Sequence, residues 1–96
     1  MATQPYKLIV ADSTARLIRG LHPELKKKVK SGLRALVTDP FAGKALRDEL
    51  KGLRSFRVGR FRIIYHISGE RIEIAAVGPR KTIYEETLKL IRRSAT

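Results

Sequence analysis

The chain contains no cysteine. It can therefore hold neither a disulfide framework nor a thiolate metal site, and a cytoplasmic location is expected. Its two histidines, His22 and His66, lie far apart in sequence, and the acidic residues are scattered, so no zinc site is expected. No run is long or apolar enough to span a bilayer. The opening Met1-Ala2-Thr3-Gln4-Pro5 has neither the basic nor the apolar region of a secretory signal. A glycine-rich phosphate loop and a nucleophile elbow are both absent. There is no internal repeat, low-complexity stretch or linker, and 96 residues suit one domain, spanning residues 1–96, with one modest core.

Positive charge, by contrast, is abundant. Lysine and arginine number 21 against 9 acidic residues, a formal net charge of +12. Such an excess repels itself in a compact chain, so an anionic partner is expected: nucleic acid, an acidic protein or a membrane surface. At 43% hydrophobic residues, the chain is too apolar for a disordered basic tail.

Residues 6–11 (YKLIVA) form a short apolar, partly β-branched run, read as a strand. Asp12-Ser13 offers an N-cap for a helix through Leu21. His22-Pro23-Glu24 starts a second helix, whose apolar Leu25, Val29, Leu33, Leu36 and Val37 recur at helical spacing among lysines; Asp39-Pro40 ends it. Residues 41–53 read as irregular. Residues 55–58, 61–67 and 71–77 read as three strands, joined by tight turns at Gly59-Arg60 and Ser68-Gly69-Glu70. Thr82-Ile83-Tyr84-Glu85 has capping-box spacing, predicting a last helix from Ile83 through Ile91. The expected fold is α+β: strand, two helices, a three-stranded antiparallel meander and a C-terminal helix. The first strand joins the same small antiparallel sheet, and the helices pack on one face.

With the usual catalytic constellations absent, the chemistry left to the chain is that of Arg, Lys, Tyr and at most a histidine. Such a set suits gripping a phosphodiester and stabilising the charge that grows on it. Lys51, Arg54, Arg57, Arg60 and Arg62 crowd one segment. Alternation puts Ser55 and Arg57 on one face of their strand, and Arg62, Ile64 and His66 on one face of the next. Arg57 and Arg62 flank one turn. Arg80 follows the last strand, and Tyr84 lies in the first turn of the last helix, where an anion also feels the helix dipole.

The run from Leu50 to Tyr65 (LKGLRSFRVGRFRIIY) resembles the central signature of RelE/ParE toxins, and Val77 to Tyr84 (VGPRKTIY) resembles the family's C-terminal VGHRxxVY motif. This resemblance implies the toxin of a toxin–antitoxin system: a metal-independent endoribonuclease that cuts mRNA in the ribosomal A site by attack of the 2′-hydroxyl on the adjacent phosphate. It implies Arg62 as binder of the scissile phosphate, Arg80 as stabiliser of the leaving group or transition state, and Tyr84 as a base-stacking or proton-moving group. Lys51, Arg54, Arg57 and Lys81 are the expected RNA contacts. No cofactor is expected. The implied partners are the ribosome, mRNA and an acidic, RelB-like antitoxin. ParE-type members share the fold but inhibit DNA gyrase and cut no RNA, and that is the alternative; a basic RNA-binding module without chemistry is a third reading. Two departures from the pattern stand out: Ser55 occupies a basic position, and Pro79 stands where a histidine is common.

Other assignments remain structural. The lysines at 26, 27, 28 and 30 read as a solvated helix face that also suits RNA or antitoxin. Arg60 reads as solvated, Tyr65, Phe56 and Phe61 as core, His22 as a helix-start residue, and His66 as a surface or packing residue.

Overall fold

An extended apolar segment, β1 (Lys7–Val10), leads into two helices, α1 (Asp12–Arg19) and α2 (Pro23–Thr38). Two 3₁₀ turns, Pro40–Ala42 and Asp48–Leu50, flank a short strand, β2 (Lys44–Ala45). The meander β3 (Arg54–Val58), β4 (Phe61–Ser68) and β5 (Arg71–Pro79) follows, and α3 (Ile83–Ala95) is the last element. This is the expected α+β order. The structure, a computed structural model, describes residues 6–95; the opening pentapeptide, and with it the expectation about a secretory signal, lies outside them. No helix among the described residues is long and apolar enough to cross a membrane.

Local chemistry accounts for the helices. Pro23 brings its fixed φ to the first position of α2, and His22 Nδ1 accepts the Glu24 amide at 3.4 Å. Val29, Leu33 and Leu36 of α2 are buried, while Lys27, Lys28 and Lys30 are exposed. The start of α1 differs from expectation. Asp12 is already its first residue, and Ala11 stands at the cap with no side-chain hydrogen bond. The carboxylate instead sits in the first turn, where the helix dipole favours it.

The strand order is β1-β5-β4-β3-β2. β1 runs parallel to β5, with Lys7 opposite Arg71 and Val10 opposite Ile74. The sheet is therefore mixed, not antiparallel throughout. Parallel neighbours need a long connection, and everything from α1 to β4 supplies it; no local pattern encodes the direction of so distant a pairing. β2 falls in the stretch expected to be irregular, because two residues show no periodicity. It exists through its pairing with Arg54 and Ser55 of β3.

The helices also fail to share one face. Phe56, Val58, Ile63, Tyr65 and Ile74 pack with α1 and α2 through Ile18, Val29, Leu33 and Leu36. Ile64 and Ala76 pack on the other face, under Ile83 of α3. Ile64, which alternation puts on the same side as Arg62, is fully buried there, in a cluster with Ala76 and Ile83 of α3 against which Leu46, Leu53 and Tyr84 pack. A bulge in β5 completes this arrangement. Tyr65 pairs with Ile74 but Ile64 with Ala76, which leaves Ala75 as the extra residue. Alternation is reversed beyond it, so Val77 joins Ile74 in the α1–α2 core while Ala76 packs under α3. Gly78 lets α3 come close, since a Cβ there would stand 2.9 Å from Ile83 Cδ1.

Candidate active site

The face under α3 carries Ser55 and Arg57 on β3, Arg62 on β4 and Gly78 on β5. Arg57 is directly opposite Arg62, and Arg62 is opposite Gly78. Like charges paired across strands are unfavourable, and the His66–Glu73 contact (3.4 Å) and the Arg92–Glu49 ion pair (3.0 Å) lie elsewhere. Tyr84 reaches this face from the first turn of α3. Its hydroxyl donates to Ser55 Oγ at 3.1 Å, and Arg62 Nη1 donates to the same oxygen at 3.2 Å. Ser55 is 2% exposed; Arg62 and Tyr84 are half-buried. The Nε of Arg62 is buried and has no hydrogen-bond partner.

At the end of the sheet, Arg57, Arg60, Arg80 and Lys81 line a groove of about 300 Å³ together with Gly59 and Pro79. Two connections are pinned side by side there. Gly59 takes a left-handed φ of 58° that makes the β3–β4 turn tight, and the Arg80 amide donates to the Arg60 carbonyl at 3.0 Å. On the other side of the same turn, Lys28 of α2 lines two further grooves with Arg57 and Gly59. The positive surface thus wraps around the hairpin tip. Guanidinium groups bind phosphate by charge-assisted, often bidentate hydrogen bonds, and their aliphatic stems with Pro79 provide a flat apolar wall. A phosphodiester chain matches this chemistry. Among the described residues, no three His, Asp or Glu side chains gather into a possible metal site.

The site residues expected from sequence therefore divide. Arg62 and Tyr84 meet at Ser55, with Arg57 alongside, and Arg80 and Lys81 lie in the adjoining groove. Lys51 and Arg54 sit at the opposite end of β3 from the turn. Arg54 is engaged elsewhere, since its Nη2 donates to the carbonyls of Gly43 (2.7 Å) and Phe41 (3.2 Å), with its guanidinium 5.3 Å from the centre of the Phe41 ring. Lys51 is exposed in the turn before β3. His66 stands four residues along β4 from Arg62, roughly 13 Å away, facing Glu73. His22 serves as the α2 cap, and Tyr65 is fully buried. Arg60, expected to be merely solvated, borders the groove.

The part played by Ser55 is not visible in the sequence, where it stands as a missing basic group. Alternation does put Ser55 beside Arg57, but nothing local signals that a tyrosine 29 residues further on arrives at its hydroxyl.

Comparison with known proteins agrees with this architecture. The model of the ParE toxin family of type II toxin–antitoxin systems, parDE, matches residues 10–84. No protein of curated function matches the sequence. A chain of the toxin–antitoxin complex RelBE2 from Mycobacterium tuberculosis is 31% identical, with a TM-score of 0.71, over 79% of this chain and 99% of that one. A mutant of the Escherichia coli toxin RelE in the free state gives a TM-score of 0.71 at 20% identity, covering 91% and 98% of the two chains. YafQ from E. coli gives 0.65 at 15% identity, covering 82% and 98%. The fold is that of the RelE toxins, strand, helix pair, meander and helix around a mixed five-stranded sheet. The chain is a toxin of the RelE/ParE superfamily and belongs to the ParE toxin family of type II toxin–antitoxin systems.

Proposed function

We propose that this toxin cleaves messenger RNA on the ribosome, with the RNA's own 2′-hydroxyl as the nucleophile. The observation that carries the reading is the meeting of Arg62 and Tyr84 at Ser55, beside Arg57 and a groove of further cations. In the reaction the 2′-oxygen loses its proton and bonds to the adjacent phosphorus. The bond from phosphorus to the 5′-oxygen breaks, and that oxygen takes up a proton. The products are a 2′,3′-cyclic phosphate and a 5′-hydroxyl.

Negative charge grows on the phosphoryl oxygens, and preorganised donors aimed there give the largest catalytic return. Arg62 fills this role, with an Nε that no protein group satisfies. Arg57 holds the same phosphate or its neighbour, and Arg80 stabilises charge on the leaving side. An arginine stays protonated and serves poorly as a base. Tyr84 stands beside Arg62, so proton transfer or base stacking falls to it. The chemistry requires no metal or cofactor.

The protein partner in this reading is an acidic antitoxin that covers the basic face, as the net charge of +12 invites. The similar M. tuberculosis chain was solved in a toxin–antitoxin complex, and one from Pyrococcus horikoshii in a RelE–RelB complex.

A second reading, inhibition of DNA gyrase, is favoured by the match to the ParE toxin model. Cell-free translation followed by primer extension on the mRNA separates the two. Discrete cuts at A-site codons are expected. Intact mRNA and undisturbed translation, together with blocked supercoiling by gyrase, would replace the first reading with the second.

The groove can be tested separately. Arg60→Ala combined with Lys81→Ala is expected to weaken binding of a 2′-O-methylated single-stranded RNA. It should also flatten the slope of log affinity against log salt by about 1.4, since each phosphate left without its cation accounts for about 0.7. Fluorescence anisotropy across a salt series reads both quantities, and an unchanged slope would remove the groove from the RNA path.

A further inference from the structure

Ser55 Oγ is the point at which β3, β4 and α3 meet on the site face. A serine hydroxyl has two acceptor lone pairs and one proton to donate. Arg62 Nη1 and the Tyr84 hydroxyl both donate to it, at 3.2 Å and 3.1 Å. With Ser55 only 2% exposed, bulk water does not compete for those lone pairs. Its short side chain stands on a strand paired on both sides, with Lys44 opposite on β2 and Ile64 opposite on β4. The donors, by contrast, are long, half-buried side chains with torsions to fix.

We propose that Ser55 is a positioning residue, which holds the Arg62 guanidinium and the Tyr84 hydroxyl at a set separation so that both address one phosphodiester. The inference rests on the RNA-cleavage reading above. Two donors bound to one near-tetrahedral oxygen at these distances stand roughly 5 Å apart, a span that lets a remaining N–H of Arg62 donate to a phosphate oxygen while the lone pairs of the Tyr84 oxygen, whose proton is held by Ser55, face the neighbouring 2′-hydroxyl. A lysine at this position would add a third cation beside Arg57 and Arg62; the serine instead gives the arginine an acceptor. The serine that breaks the family's basic pattern thereby exchanges a charge for geometry.

The test uses the intact toxin on programmed ribosomes. Ser55→Ala is expected to lower kcat about tenfold with KM within about twofold, the signature of misplaced rather than missing binding groups. Combining it with Tyr84→Phe should cost clearly less than the product of the two single losses, because both changes break the Tyr84–Ser55 hydrogen bond and only Ser55→Ala also frees Arg62. An unchanged kcat in Ser55→Ala, or fully additive losses in the double variant, overturns the proposal.

A readout independent of cleavage separates this failure from that of the RNase reading. In ¹⁵N NMR the buried Arg62 Nε–H is expected to be protected from exchange in the wild type and to lose protection in Ser55→Ala, with the Tyr84 ring signals shifting as well. If the wild type cuts no RNA, the RNase reading falls and these spectra decide the positioning role: identical Arg62 and Tyr84 signals in the variant overturn it. Ser55→Cys keeps the volume while weakening the acceptor, and it provides the same comparison should Ser55→Ala not fold.

Discussion

Arg62→Ala is expected to slow RNA cleavage by about 10²- to 10³-fold, the usual cost of removing a donor aimed at developing negative charge. Growth arrest on expression without an antitoxin should disappear with it. The fold should survive. Arg62 lies opposite Arg57, so alanine relieves a like-charge pair and removes a buried Nε that has no partner. The melting temperature is accordingly expected to match or exceed that of the wild type. Primer extension measures the first effect and a thermal melt the second. Arg62→Lys should fall between, since an ammonium keeps the charge but not the planar fork that grips phosphate. A folded Arg62→Ala protein with undiminished toxicity would sink the proposed site.

Tyr65→Phe should produce the largest loss of stability from the smallest change. The Tyr65 ring is fully buried between the sheet and α2. Its hydroxyl donates to the Pro40 carbonyl at 2.6 Å and accepts the Gly43 amide at 3.0 Å. Both partners are backbone groups of buried residues. Removing one oxygen leaves a carbonyl and an amide without partners, at roughly 3 kcal/mol in total. For a domain of this length that lowers the melting temperature by roughly 10–20 °C. Gly43 has little room to adjust, because a Cβ there would collide with the Tyr65 hydroxyl and come within 3.0 Å of the Ser55 carbonyl. The turn at residues 40–43 thus bears on the strand that carries Ser55, and a modest fall in activity is expected alongside. Urea unfolding checks the claim through a lower midpoint at unchanged slope.

These two residues differ in how they could be found. Tyr65 is legible as core because it alternates with Ile63 and Ile67, a period that any half-buried strand must show. Its hydrogen bonds to Pro40 and Gly43 are not legible, because those partners lie 25 and 22 residues away. Arg62 and Arg57 are legible as neighbours because a tight turn joins their strands and puts them in register. Arg54 misleads for the same reason that it looks right. Composition places it among the cations, but alternation sets it on the other side of β3 from Ser55 and Arg57, and there it holds the 40–43 turn.

By itself, the sequence determined the order of elements, the three-stranded meander, the apolar stripe of α2 and the positive character of the hairpin tip, because each rests on periodicity, turn chemistry or charge within a few residues. Only the tertiary structure decided that β1 runs parallel to β5, that Ala75 bulges and reverses the faces beyond it, that α3 covers the opposite side of the sheet from α1 and α2, and that Tyr84 comes down onto Ser55. Each of these is a contact between segments far apart in the chain, chosen by how the whole core is filled and not by any local preference.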